Sequence, residues 1–148
     1  MNKSNLNTNN KITKSVVEVK DLKVQFQLKD KVVKAVDGIS FNINKGETIA
    51  IVGESGSGKS VTALSLMRLT DYSGGKIVSG EINLKSKNNL NLNLTQLDQE
   101  KMRDIRGNDI SMIFQEPMTS LNPVFTIGMQ ITETIITVSY THLRAHET

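Results

Sequence analysis

Apolar and polar residues alternate along Val16–Phe26 (VVEVKDLKVQF) on either side of Asp21, the pattern of a β-strand that turns Val17, Val19, Leu22, Val24 and Phe26 inward. The inward set changes parity between Val19 and Leu22, so a kink or bulge is expected near Asp21-Leu22. Leu28–Lys31 reads as a charged turn, and Val32, Val33 and Val36 as a second strand. Asp37-Gly38 is a turn signal, and Ile39–Ile43 alternates again as a third strand. Asn44-Lys45-Gly46-Glu47 makes a tight turn into Thr48–Val52 (TIAIV), an almost wholly apolar run expected to be a buried strand.

The period then changes. Ala63, Leu64, Leu66, Met67 and Leu69 fall at helical spacing within Ser60–Leu69. Tyr72–Lys76 (YSGGK) breaks the chain, and Ile77, Val78, Ile82 and Leu84 suggest another strand, interrupted at Ser79-Gly80. Lys85–Leu94 is polar and Asn-rich: either a surface loop or, through its alternating leucines, a short edge strand. Thr95 is expected to cap a helix over Gln96–Arg106, with Leu97, Met102 and Ile105 on one face and Gly107 as its stop. Asp109–Phe114 (DISMIF) reads as a strand. A loop holding Pro117 and Pro123 follows, and Ile127, Ile131, Ile135 and Ile136 suggest a helix from about Thr126. No internal repeat is visible.

At 148 residues the chain has the length of one ordinary domain, and 37% hydrophobic with 22% charged residues is a globular balance. The net charge of +3 is small and its lysines are dispersed, which argues against a nucleic-acid partner. Without cysteine there is neither a disulfide scaffold nor a thiolate metal site. No apolar stretch approaches the roughly 20 residues of a membrane-spanning helix. The Asn/Lys-rich residues 1–15 lack the apolar centre of a secretory signal and read as a disordered polar tail.

Between the TIAIV run and the next helix lies Gly53–Ser60, GESGSGKS, which fits the phosphate-loop pattern G-x-x-x-x-G-K-[ST] at every fixed position. Gly53, Gly56 and Gly58 can take backbone angles that a β-carbon obstructs, so successive N–H groups curl round a phosphate at a positive helix end. Lys59 would reach the β- and γ-phosphates, and the Ser60 hydroxyl would ligate Mg²⁺. Glu54, Ser55, Ser57 and Val61 complete the expected ATP-binding stretch.

Two longer stretches narrow the reading. Ala35–Ser60 (AVDGISFNINKGETIAIVGESGSGKS) and Met102–Ile131 (MRDIRGNDISMIFQEPMTSLNPVFTIGMQI) together resemble the ATP-binding subunit of ABC transporters. Within that group the likeness is to the oligopeptide/dipeptide importer family and its nickel-importing relatives. The resemblance covers about Val16–Ile136, and FQEPMTSLNP after an IRG turn is its most specific part. It implies an α/β fold: a P-loop NTPase (RecA-like) core of parallel strands and helices, beside an N-terminal antiparallel β-subdomain (Val16–Ile43 joined by Ile77–Leu84). It also implies roles. Gly53–Ser60 corresponds to the Walker A loop. Gln115 corresponds to the Q-loop glutamine, which contacts Mg²⁺ and the attacking water and relays nucleotide state to membrane subunits through Gln115–Pro123. Phe26 stands where an aromatic residue stacks on adenine, although its place on the apolar face of its strand fits a core residue as well. Two such subunits, alike or different, meet head to tail with ATP between them, at the cytoplasmic face of the membrane.

The signature LSGGQ, the apolar run ending in Asp-Glu and the switch histidine of that family have no counterpart here, so the fold is expected to be incomplete at its C-terminus and no catalytic residue is assigned in this chain. Weak nucleotide binding without meaningful hydrolysis is the expectation. From about Val138 the sequence VSYTHLRAHET departs from the family, so 16–137 is read as the N-terminal part of the nucleotide-binding domain and 138–148 as an atypical tail from a frameshift, scar or junction. His142 and His146, four residues apart, are too small a donor set for a metal site. The competing readings are a non-catalytic nucleotide- or partner-binding fragment and an ABC ATPase outside transport.

Overall fold

The alternating residues of the first half form two long strands rather than three. The computed structural model describes residues 15–115 and 121–144, with side chains through 136. In it β1 spans Ser15–Gln27 and β2 spans Val32–Asn44. The turn between them is closed by the Leu28 N–H donating to the Lys31 carbonyl at 2.9 Å. Strand β3, Gly75–Lys85, pairs with the other edge of β1, and the short β4, Asn91–Asn93, pairs with β3. The result is an antiparallel sheet in the order β2-β1-β3-β4. Of the two readings of Lys85–Leu94, the alternating leucines win: Leu92 lies in the edge strand, opposite Leu84.

One irregularity crosses three strands. Between Val19 and Leu22, β1 carries two residues where β2 carries one. Asp21 takes φ +42°, and its N–H donates to the Ser40 hydroxyl at 2.8 Å. The extra residue resets parity, so Val19 and Leu22 both point into the core, at 1% and 0% exposure. Gly80 lies opposite on β3 with φ +97°, and a β-carbon there would stand 2.5 Å from the Asp21 carbonyl oxygen. Gly38 flanks the bulge on β2 with φ +83°. Asp37-Gly38 and Ser79-Gly80 are therefore bulge positions inside continuous strands, not the turn and the interruption that the sequence suggested.

The core gathers Val19, Leu22 and Val24 of β1, Val36 of β2, and Ile82 and Leu84 of β3. Leu94, Met102 and Ile105 cover that face. Met102 and Ile105 belong to α2, Gln99–Ile105. That helix begins later than expected because Asp98, not Thr95, is its cap: the Asp98 carboxylate accepts the Lys101 N–H at 2.8 Å. Thr95 instead donates its hydroxyl to the Asn93 side chain at 2.7 Å. Gly107, with φ +81°, lies just past the end of the helix, as expected of its stop.

Two expected strands are absent. Neither Thr48–Val52 nor Asp109–Phe114 forms a ladder among the described residues, apart from one isolated bridge between Arg106 and Ile110. Val52 is 86% and Ile113 99% exposed. A parallel strand buried on both faces needs neighbours on both edges, and no described strand lies beside either run. The loop helix is also shorter than expected: α1 spans Lys59–Leu66, and a 3₁₀ turn, Leu69–Ser73, takes up the rest. Helix α3, Ile127–Arg144, begins where expected and runs past Val138. The polar tail before Ser15, Glu116–Ser120 of the proline loop, and His146 lie outside the described residues.

The cap of α2 is testable through pH. The Lys101 backbone N–H, donating to the Asp98 carboxylate, holds its pKa below the ordinary value. A lowered native pKa contributes stability that is present above the unfolded-state pKa and is lost as pH falls through the native one. Asp98→Ala is expected to lower the melting temperature at pH 7, with the deficit shrinking as acid titrates the parent carboxylate. Asp98→Asn is expected to keep most of the cap and remove that pH dependence.

Candidate functional site

Gly53–Ser60 follows residues 48–52 and leads into the start of α1. The Ser57 N–H donates to the Glu54 carbonyl at 3.2 Å, closing the turn. Gly58 is the helix cap residue with φ +89°, and Gly56 takes φ +80°. A β-carbon on Gly58 would stand 2.3 Å from the Ala35 carbonyl oxygen, so only glycine lets the loop rest on β2. A β-carbon on Gly53 would stand 2.7 Å from the Ser57 hydroxyl.

Helix α1 buries Thr62 and Ser65 rather than a leucine stripe. Both hydroxyls turn back on their own helix: Thr62 donates to the Gly58 carbonyl at 2.9 Å and Ser65 to the Val61 carbonyl at 2.6 Å. Small side chains with satisfied hydroxyls let the helix pack closely. Val61 is half-buried against the core.

The Lys59 ammonium folds over the loop. It donates to the carbonyls of Gly53 at 2.8 Å and Glu54 at 2.5 Å, and lies 3.3 Å from the Ser57 hydroxyl. A fixed cation thus stands at the N-terminal end of α1, which has no acidic residue in its first turn. Charge and helix dipole have the same sign there, which is the electrostatics of an anion site. The exposed Ser60 hydroxyl sits on the first turn of α1. Glu54 and Ser55 are exposed along the loop. Backbone cradle, cation and hydroxyl together fit a magnesium-bound polyphosphate.

The two remaining candidates lie apart from this cluster in different ways. Phe26 is half-buried and its ring covers Gly75, where a β-carbon would be 2.7 Å from the ring. It pairs with Val33 on β2, two residues from the Ala35 carbonyl that supports Gly58. Register thus brings Phe26 to the loop's corner of the sheet while its ring packs on β3. Gln115 is exposed at the end of the 111–115 segment, and among the described residues no hydrogen bond joins it to the loop.

Sequence reasoning missed a pair of arginines behind the loop. Arg68, in the left-handed region at φ +52°, binds Asp71 through Nε at 3.0 Å and Nη2 at 2.9 Å. Its Nη1 donates to the carbonyls of Leu94 and Leu97. Arg106 reaches back from the end of α2. Its Nε donates to the Met67 carbonyl at 2.8 Å and its Nη2 to the Arg68 carbonyl at 3.3 Å. An arginine beside a helix-stop glycine was the available signal, but its carbonyl partners are 38 and 39 residues away.

Residues 36–147 match the sequence profile described as ABC transporter. The chain belongs to the ABC transporter family. Among its relatives is the oligopeptide transport ATP-binding protein AppD of Bacillus subtilis strain 168, 56% identical over 122 residues, which are 82% of this chain and 36% of AppD. The glutathione import ATP-binding protein GsiA of Salmonella choleraesuis is 51% identical over 123 residues, covering 83% of this chain and 20% of GsiA. The chain thus spans about a fifth to a third of the length of these curated relatives. The dimeric ATP-binding cassette MJ0796, solved in a post-hydrolysis state with ADP and Pi, superposes with a TM-score of 0.65 at 24% identity, over 82% of this chain and 47% of the cassette. That likeness shows the ABC cassette fold. In this family member the antiparallel sheet is the platform on which the phosphate loop rests.

The glycines of that loop are expected to differ in tolerance. Gly56→Ala has open space around its β-carbon and pays only for its positive φ, about 1 kcal/mol. Gly58→Ala adds the clash with Ala35 and should destabilise by about 3 kcal/mol. Denaturant midpoints of the two variants measure the difference.

Proposed function

We propose that this chain carries the phosphate-binding half of the ATP site in a subunit that energises peptide import. The observation that carries the reading is the Lys59 ammonium, held by three loop oxygens at the N-terminus of α1. Released from those oxygens by the incoming nucleotide, its three N–H donors would turn to the β- and γ-phosphates of ATP, and the loop N–H groups would take the remaining phosphate oxygens. Ser60 would ligate Mg²⁺, with Gln115 as a second oxygen ligand brought in from the 111–115 segment. Phe26 would lie against adenine at the sheet corner. Bound Mg²⁺ supplies charge neutralisation for phosphoryl transfer to water.

Peptide as the cargo class is supported by similarity to relatives such as the oligopeptide transport ATP-binding protein AppD. In this reading the Gln115–Pro123 region meets membrane subunits, a second ATP-binding subunit completes each site, and the protein works at the cytoplasmic face of the membrane. No described helix is long and apolar enough to cross a bilayer.

Calorimetric titration with ATP and Mg²⁺ tests the reading. Lys59→Ala, which removes a charge-assisted contact, should weaken binding by about tenfold or more. Ser60→Ala should weaken it only when Mg²⁺ is present. Equal affinity of parent and Lys59→Ala would sink the assignment.

A further inference from the structure

The two guanidinium groups behind the loop form a reciprocal strap. Arg68, just past the C-terminal end of α1, reaches the carbonyls of Leu94 and Leu97 ahead of α2. Arg106, at the end of α2, reaches the carbonyls of Met67 and Arg68 just past α1. Arg106 Nη1 also donates to the Tyr72 hydroxyl at 3.1 Å, with the guanidinium carbon 5.4 Å from the centre of that ring. All three guanidinium nitrogens are engaged. A cation on the last carbonyls of a helix also opposes the negative end of its dipole.

The backbone beyond Arg106 is equally tied. Gly107 N–H donates to the Ile110 carbonyl at 2.8 Å, and Asp109 N–H to the Ile105 carbonyl at 2.9 Å. This tight turn leads directly into the 111–115 segment. One end of α1 therefore carries the phosphate loop, and the other is fastened to the turn that delivers Gln115. Helix α1 has eight residues, a rod of about 12 Å. A shift at its loop end must reach its far end.

We propose that Arg106 is a positioning residue that transmits occupancy of the phosphate loop to the segment bearing Gln115. The proposal rests on the nucleotide-site reading above. A ligand that draws α1 toward its phosphates pulls the Met67 and Arg68 carbonyls, and through Arg106 moves or tightens the 108–115 turn. Arg68 holds the opposite side, so the displacement is passed on rather than absorbed at the 3₁₀ turn.

Amide hydrogen exchange, with and without ATP and Mg²⁺, tests this in the parent, Arg106→Met and Arg106→Lys. In the parent, nucleotide should slow exchange at 55–62 and at 108–115. Arg106→Met should keep the first protection and lose the second, and Arg106→Lys, which keeps a donor but not the fork, should fall between. Equal nucleotide-induced protection of 108–115 in the parent and Arg106→Met overturns the proposal. If Arg106→Met fails to melt cooperatively, Arg106→Lys decides alone: parent-like protection at 108–115 refutes the link, and partial protection supports it. Loop protection without any response at 108–115 in the parent removes the coupling and leaves the site. No protection at 55–62 in the parent removes the nucleotide-site reading and the proposal with it.

Discussion

The approach of Gly58 to the Ala35 carbonyl is the contact on which the arrangement of this chain depends. It is an approach of backbone to backbone, with no room for a β-carbon. Through it an edge strand of an antiparallel sheet positions the start of α1, and the start of α1 positions the loop. The small buried residues Thr62 and Ser65 extend the same logic along the helix. Each donates its hydroxyl within the helix, so closeness does not strand a polar group. The ammonium of Lys59 then uses carbonyls that the loop has already turned inward.

Charge is distributed unequally in usefulness. Lys20–Glu18, Lys34–Asp37 and Lys101–Asp98 are solvent-exposed pairs on the surface, of the kind that contribute little. Arg68 and Asp71 are different: their side chains are 15% and 25% exposed and doubly bonded. Gln99 also donates to Asp71 at 3.0 Å, and Tyr72 donates to Gln99 at 3.1 Å. This network joins the 3₁₀ turn to α2 and gives the region behind the loop a fixed geometry. Energy is placed where two helices must keep their relation.

Much of this was legible in the residues, and the misses have physical causes. The parity change between Val19 and Leu22 announced the bulge because a two-residue period leaves no other way to bury both. The loop was legible because glycine, lysine and serine at fixed spacing encode backbone angles and donors locally. Thr48–Val52 and Asp109–Phe114 carry strand composition, but a strand is a relation between segments, and among the described residues neither joins a ladder. Gly38 and Gly80 read as breaks because positive φ serves a bulge as well as a turn. Thr95 and Asp98 are both good caps by type, and the Asn93 side chain engages Thr95 first. The link between Arg68 and Arg106 was hidden because it runs through carbonyls 26 to 39 residues away, and carbonyls have no residue type; only the local Arg68–Asp71 pair left a trace in the sequence.

The irregularity at Asp21 has a consequence for how the sheet assembles. Sliding one strand past another by two residues preserves which side chains face inward, so alternation alone does not forbid it. Here such a slip would move Gly80 away from Asp21 and bring a side chain into the space 2.5 Å from its carbonyl oxygen. On the other flank, the Ser40 hydroxyl would lose the Asp21 N–H. The bulge and its two glycines act as a key and keyway, admitting a single alignment of three strands. Because Ala35 lies on one of them, the height at which the phosphate loop rests is set by that alignment.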